Sequence, residues 1–305
     1  MFFPDSYSMK EAFQSQSVDL IKIEAQDWGI FQSMTDVTLL QYPSRYFEFM
    51  ALNLKNQLFS DSKVRQAILM SLDREKILQD TTMGRGIVID GPILPYSWAY
   101  NSQIPHVTLN SKKAIQILNE AGWKDENEDG ILERKIGSRI QNFEFELLVN
   151  TSNIARYQAA NQIKKDLAEV GISVKLVDIS WDELKNRVLK KNYDAALMGW
   201  ELSPNPDLRF MFLSDEIRNG YNFVSYSNPD LDSLLIKAYT QNMEADRKLL
   251  LFQIQDIIAK DLPYIFLYSP YKLMAVNNRI KDIKPNAVNP FSNIIEWWVN
   301  DKAGY

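Results

Sequence analysis

The stretch "FEFELLVNTSNIARYQAANQIKKDLAEVGISVKLVDISWDELKNRVLKKNYDAALMGW", residues 143–200, decides the fold. Residues 143–150 read as a strand. From Ala155 to Val170 the residues Ala160, Ile163, Leu167 and Val170 recur on one helical face, and Gly171 stops the run. "ISVKLVDI" (172–179) alternates as a strand does. Ser180 and Glu183 then form a capping box that opens a short helix, Trp181 to Lys191, and "YDAALMGW" (193–200) is a third strand. Strand, helix, strand, helix, strand implies a parallel sheet with right-handed crossovers.

That topology locates a site. In an open parallel sheet ligands sit beyond the carboxyl ends of the strands, so the loops 150–156 and 199–207 share one edge. The first runs into a helix N-terminus, whose free N–H groups favour an anion such as a carboxylate. The second offers the Trp200 indole for stacking, with Glu201 and Asp207 as acceptors for a cation. Asp182 and Glu183 are not a catalytic acid pair: adjacent helical residues point apart, and Glu183 belongs to the cap.

Outward from this core, "QYPSRYFEFMALNLKN" (41–56) reads as extended. "FSDSKVRQAILMSLDREKIL" (59–78) reads as a helix capped by Asp61 or Ser62, with Val64, Ile68 and Leu72 on one face. A helix with Ser111 as N-cap carries Ala114, Ile117, Leu118 and Ala121 and ends at Gly122. Asn228 caps a helix that has Pro229 at its first position. A longer helix, Met243 to Lys260, presents Leu250, Ile254 and Ile257 to the core. "LPYIFLYSPYKLMAV" (262–276) is a buried aromatic strand, and "NIIEWWV" (293–299) is a short final one.

The chain has 305 residues, 46% hydrophobic and 24% charged, which suits one large globular domain or two smaller ones. With a net charge of −5 and scattered basic residues, neither a nucleic-acid backbone nor an anionic membrane is an expected partner. There is no cysteine, hence no disulfide or thiolate chemistry. The only histidine, His106, has no neighbouring nucleophile and reads as a surface residue, which argues against a Ser-His-Asp triad or a multi-histidine metal site. No stretch approaches the ~18 to 20 apolar residues of a membrane span. The N-terminal "MFFPDSYSMKEAF" also lacks a signal-peptide pattern, so the chain is cytoplasmic or starts inside a longer one.

"KDENEDGILERK" (124–135) places Asp125, Asn127, Asp129 and Gly130 where an EF-hand loop has its first ligands and its glycine. The position of the bidentate glutamate is Ile136, and a strand follows instead of a helix. The expectation is a turn that uses Asn, Asp and Gly for backbone reasons.

Several segments, in this order, resemble the extracytoplasmic solute-binding proteins of peptide and nickel ABC transporters, family 5: "LNLKN", "FSDSKVRQAILMSLDREKI", "GPILP", "SKKAIQILNEAGWKDENEDGI", residues 159–200, "YSNPDLDSLL" and "DLPYIFLY". The resemblance covers about 45 to 270. It implies an α/β fold of the periplasmic-binding-protein type II: one complete α/β lobe with a parallel-rich sheet, residues 58–263, plus the remaining part of a first lobe, residues 1–57 and 264–305, with more chain upstream. It implies lobe closure about hinges near 53–59 and 262–266. The expected ligand is a peptide or small molecule and the expected partners are ABC permease subunits. The protein is expected to be a monomer outside the cytoplasm, a periplasmic protein or a lipoprotein whose signal this chain lacks.

No catalytic residue, metal site or cofactor is expected. Family members that bind peptides often place an acid three residues after the tryptophan of "GW" to hold the α-ammonium; here that position is Ser203. A serine cannot neutralise a buried ammonium, so either Glu201 or Asp207 supplies the charge or the solute is not a free-amino peptide. Asn153 and Arg156 fall where the ligand's far end is often met, and Tyr46 and Tyr226 are cleft aromatics through the resemblance. Nickel and oligosaccharide remain alternative solutes. The sensor module of a transcriptional regulator and a carboxylate hydrolase remain alternative functions.

Overall fold

The computed structural model describes residues 2–300. Its first part holds α1 (Ser6–Gln14), β1 (Leu20–Ile23), α2 (Trp28–Gln32), β2 (Val37–Tyr42), β3 (Tyr46–Leu52), α3 (Ser62–Ser71), α4 (Arg74–Thr82), β4 (Gly86–Val88) and α5 (Ser111–Glu120). The middle holds β5 (Glu133–Ile136), β6 (Arg139–Asn142), β7 (Glu144–Val149), α6 (Ile154–Ala168), β8 (Ser173–Asp178), α7 (Trp181–Leu189) and β9 (Ala195–Glu201). The last part holds α8 (Arg209–Phe212), α9 (Glu216–Asn219), α10 (Pro229–Thr240), α11 (Glu244–Asp261), β10 (Tyr264–Pro270), β11 (Lys272–Asn277), β12 (Ile280–Lys281) and β13 (Trp298–Val299).

A six-stranded sheet in the order β4-β10-β3-β9-β7-β8 forms the centre. The run read from 143–200 is its parallel part, with β7 between β8 and β9. The rest is antiparallel: β3 against β9 and β10, and β10 against β4. A parallel-rich sheet was the expectation; the sheet is mixed, because β3 enters from the carboxyl edge of β9 and must run against it.

Side chains alternate between two cores. Met50, Leu52, Leu147, Val149, Leu197 and Leu267 face one core, filled from α3, α4, α5 and α6. Phe47, Phe49, Leu148, Ala196, Met198 and Phe266 face the other, filled from α7, α10 and α11. The sheet is therefore covered on both faces, which is why its inner strands read as continuous apolar runs.

A separate three-stranded antiparallel sheet, β1-β11-β2, lies beside it. The chain passes between the sheets at residues 43–45, from β2 to β3, and at Tyr271, from β10 to β11. The Ser44 hydroxyl donates to the Pro270 carbonyl at 2.6 Å, and the Ser269 hydroxyl to the Tyr46 carbonyl at 2.7 Å, so the two crossings are tied together. β3 and β10 belong to the six-stranded sheet, so cuts at 57 and 264 would pass through it, and 53–59 and 262–266 lie on its far edge. Met1 and 301–305 of the expected first-lobe ranges lie outside the described residues.

Other local expectations also shift. Residues 59–78 hold two helices, because Leu72 is extended and Asp73 caps α4 through the Lys76 N–H. The cap of α5 is Asn110, which accepts from the Lys113 N–H, and Ser111 is the first helical residue. On α11 the buried apolar positions are Leu251, Ile254 and Ile258, with Leu250 and Ile257 half-buried beside them. His106 is half-exposed and bonds Asp90 at 2.6 Å.

In the acidic turn, Asp125 accepts from the Asp129 and Gly130 N–H groups and Asn127 from that of Asp129. Asp129 accepts from the Ile131 N–H. These oxygens face inward to the backbone, and no cluster able to hold a metal ion is found among the described residues.

Candidate functional site

The carboxyl edge of β7, β8 and β9 also holds the start of β3, because β3 runs antiparallel to β9 with Tyr46 opposite Glu201 and Glu48 opposite Gly199. This register sets the buried group at the edge. The Arg156 Nε donates to both Glu48 carboxylate oxygens, at 3.1 and 3.0 Å. Its Nη2 donates to the Tyr46 hydroxyl at 2.8 Å, and that hydroxyl donates to Glu48 at 2.5 Å. The Trp181 ring lies 5.2 Å from the guanidinium carbon.

Arg156 and Glu48 are 8% and 7% exposed, so this is a buried pair whose members complete each other's hydrogen bonding. Burial pushes the Glu48 carboxyl above its usual range, and the Arg156 charge opposes that rise. Burial likewise raises the Tyr46 phenol, with the Glu48 charge adding to the effect. Gly199 makes the arrangement possible: a Cβ there would fall 2.1 Å from the Tyr46 hydroxyl. The structure thus joins Tyr46 to Arg156, and adds Glu48, which the sequence reading did not single out.

The other candidates are distributed around this group. Asn153 caps α6, accepting from the Arg156 N–H at 3.1 Å. Trp200, next to last in β9, is half-buried, stacked on Phe223 at 5.9 Å and edge-on to Phe210 and Tyr221. Glu201 lies 3.5 Å from Arg45 and 3.3 Å from Lys272. Asp207 pairs with Arg209 at 2.8 Å, whose hydrogen bonds hold its carboxyl below the ordinary range. The Ser203 hydroxyl donates to the Asn205 carbonyl. Tyr226 stands apart: its buried hydroxyl donates to Asp261 at 2.6 Å, beside the start of β10 on the opposite edge.

Beyond β9 a cavity of about 300 Å³ opens between residues 92–98, 202–206 and 287–288. Ile93, Leu94, Tyr96, Trp98 and Leu202 make it apolar, and Arg45 forms one wall. Arg45 donates to the Leu202 carbonyl at 2.6 Å and to that of Ala287 at 3.2 Å, so it fastens the C-terminal segment over the cavity. Ser203 is the only sequence candidate among the described lining residues. Arg45, Tyr96 and Trp98 lie far from 200–207 in sequence; the only signal for Tyr96 and Trp98 was the aromatic and proline content of the loop before residue 100, and Arg45 carried none.

Comparison with known proteins agrees with this geometry. Residues 1–222 match the family described as "Bacterial extracellular solute-binding proteins, family 5 Middle". The chain is 34% identical over 300 residues to the oligopeptide-binding protein AppA of Bacillus subtilis, covering 97% of this chain and 54% of that protein. The solved structure of that protein in complex with a nonapeptide superposes with a TM-score of 0.81 at 33% identity, covering 98% of this chain and 59% of that one. NikZ of Campylobacter jejuni in complex with Ni(L-His) gives a TM-score of 0.79 at 25% identity, covering 96% of this chain and 60% of that one. The chain therefore spans little more than half the length of these relatives.

Proposed function

The chain belongs to the bacterial extracellular solute-binding proteins of family 5, a family of non-enzymatic binding proteins, and on that premise we propose that it captures oligopeptides for an ABC importer. The six-stranded unit is one binding lobe, and the three-stranded sheet with α1 and α2 is part of the other. The single observation that carries this reading is the cavity at the carboxyl edge of β9, beside the two tied crossings that link the sheets. Crossings confined to 43–45 and 271 let two rigid sheets rotate about a narrow waist, and a ligand touching both favours the closed form. Capture takes place outside the cytoplasm, and the loaded protein delivers its peptide to permease subunits. Likeness to a relative solved with a nonapeptide supports the choice of ligand.

The test is the melting temperature of the 305-residue chain with a nonapeptide pool, and separately with the nickel–histidine complex. A ligand present at a hundred times its dissociation constant adds about 2.7 kcal/mol, which is visible as an upward shift. A shift with peptides is expected. A shift with nickel–histidine alone would overturn the peptide reading.

A further inference from the structure

We propose that a second cavity, beyond the edge strand β4, binds a small neutral molecule with an apolar body and one hydroxyl, of the phenol class, and that His106 Nε2 accepts a hydrogen bond from that hydroxyl. The inference does not depend on the peptide reading.

The cavity holds about 230 Å³ and opens where the chain leaves β4, three strands from β9. Among the described residues, Ile93 alone lines both this cavity and the one beyond β9. Val88, Ile89, Ile93 and Ile104 give it apolar walls, and its polar groups come from Asp90, Tyr100, His106 and Gln255. It is smaller than the usual drug-sized pocket and suits one ring, not a length of peptide.

The walls are held from behind. The Arg74 side chain, 3% exposed, donates to the Ile89 carbonyl at 2.6 Å, to Asp90 Oδ1 at 2.7 Å and to the Val107 carbonyl, so it fixes both ends of the segment that surrounds the cavity. Gln255 on α11, also buried, accepts from the Asn101 N–H at 3.2 Å and donates to the Ala99 carbonyl at 2.9 Å. A cavity supported in this way is formed before its guest arrives, and little ordering opposes binding.

These bonds also decide the chemistry of the guest. Paired with the Arg74 guanidinium, the Asp90 carboxylate only accepts, so His106 Nδ1 is the donor in its 2.6 Å contact with Oδ2. In the neutral ring Nε2 is then an acceptor, and it has no partner among the described residues. Asp90 and Gln255 are already engaged, which leaves Nε2 and the Tyr100 hydroxyl to meet a guest. A cationic guest would compete with Arg74 for Asp90, and an anionic one would face that carboxylate; a neutral donor meets neither cost.

The test uses p-cresol, with toluene as the control that lacks the hydroxyl. His106 is the only histidine, so the imidazole nitrogen signals in an NMR spectrum report this cavity alone. At about pH 8, where imidazole is ordinarily neutral, p-cresol should shift the Nε2 signal saturably with a dissociation constant of about 1 mM. Toluene, followed through its own signals, should bind about fivefold more weakly, and His106→Phe should bring p-cresol down to the affinity of toluene. Ile104→Trp, which fills the cavity from its half-exposed wall, should abolish binding while the chain still unfolds in one cooperative transition. A shift that grows without saturating, equal affinity for p-cresol and toluene in the unaltered chain, or an Nε2 signal unmoved at saturation overturns the proposal. Displacement of p-cresol by the nonapeptide pool also overturns it, because the cavity would then belong to the peptide site.

Discussion

The Arg156 guanidinium and the Glu48 carboxylate, 108 residues apart in sequence, form a buried pair with Nε 3.1 and 3.0 Å from the two acid oxygens. The pair joins the first turn of α6 to β3 across the carboxyl edge of the sheet. Removing one partner leaves the other charged, buried and unpaired. Glu48→Ala should therefore lower stability by about 3–5 kcal/mol. Replacing the whole group with apolar residues, Glu48→Leu with Arg156→Met and Tyr46→Phe, should recover most of that loss. Urea unfolding with an unchanged m value checks both.

Gly199 and Tyr46 are in closer contact than any side chain on β9 would allow. Gly199→Ala puts a methyl group 2.1 Å from the Tyr46 hydroxyl and 2.4 Å from its ring carbon, so the phenol must leave Arg156. A cost of about 1–3 kcal/mol is expected. Tyr46→Ala in the same chain should absorb part of it, giving a non-additive double-mutant cycle in the unfolding free energies.

High pH should destabilise the fold through its buried phenols. Burial raises Tyr46, Tyr193, Tyr226, Tyr264 and Tyr268, and pushes Tyr96 up to about 12. Above the ordinary value of 10.0 the unfolded chain releases these protons while the folded chain keeps them. Stability is thus fully present below about pH 10 and falls as pH rises toward the folded values. Phenolate absorbance should show these tyrosines titrating only upon unfolding; ordinary titration of all tyrosines in the folded chain would refute the burial account.

The acidic turn at 125–131 should behave as structure and not as a cation site. Asp125→Ala removes acceptors for the Asp129 and Gly130 N–H groups, at 3.1 and 3.0 Å, and should cost about 1 kcal/mol. Calcium at about 1 mM, enough to fill many extracellular-type sites, should leave the melting temperature unmoved.

By itself the sequence determined the alternation of strands and helices from 143 to 200, the caps at Ser180 and Asn228, and the edge of the sheet where loops gather; between Asp61 and Ser62 the structure chose Asp61. These are legible because period, cap and turn chemistry act over a few residues. Only the tertiary structure decided that β3 and β10 join the six-stranded sheet, since strands buried on both faces show no alternation and carry no mark of their neighbours. It also decided the pairing of Glu48 with Arg156 and the position of Arg45 beside Leu202 and Ala287. The physical reason is one of range: a side chain's partner across a sheet is set by strand order and register, which local sequence does not encode.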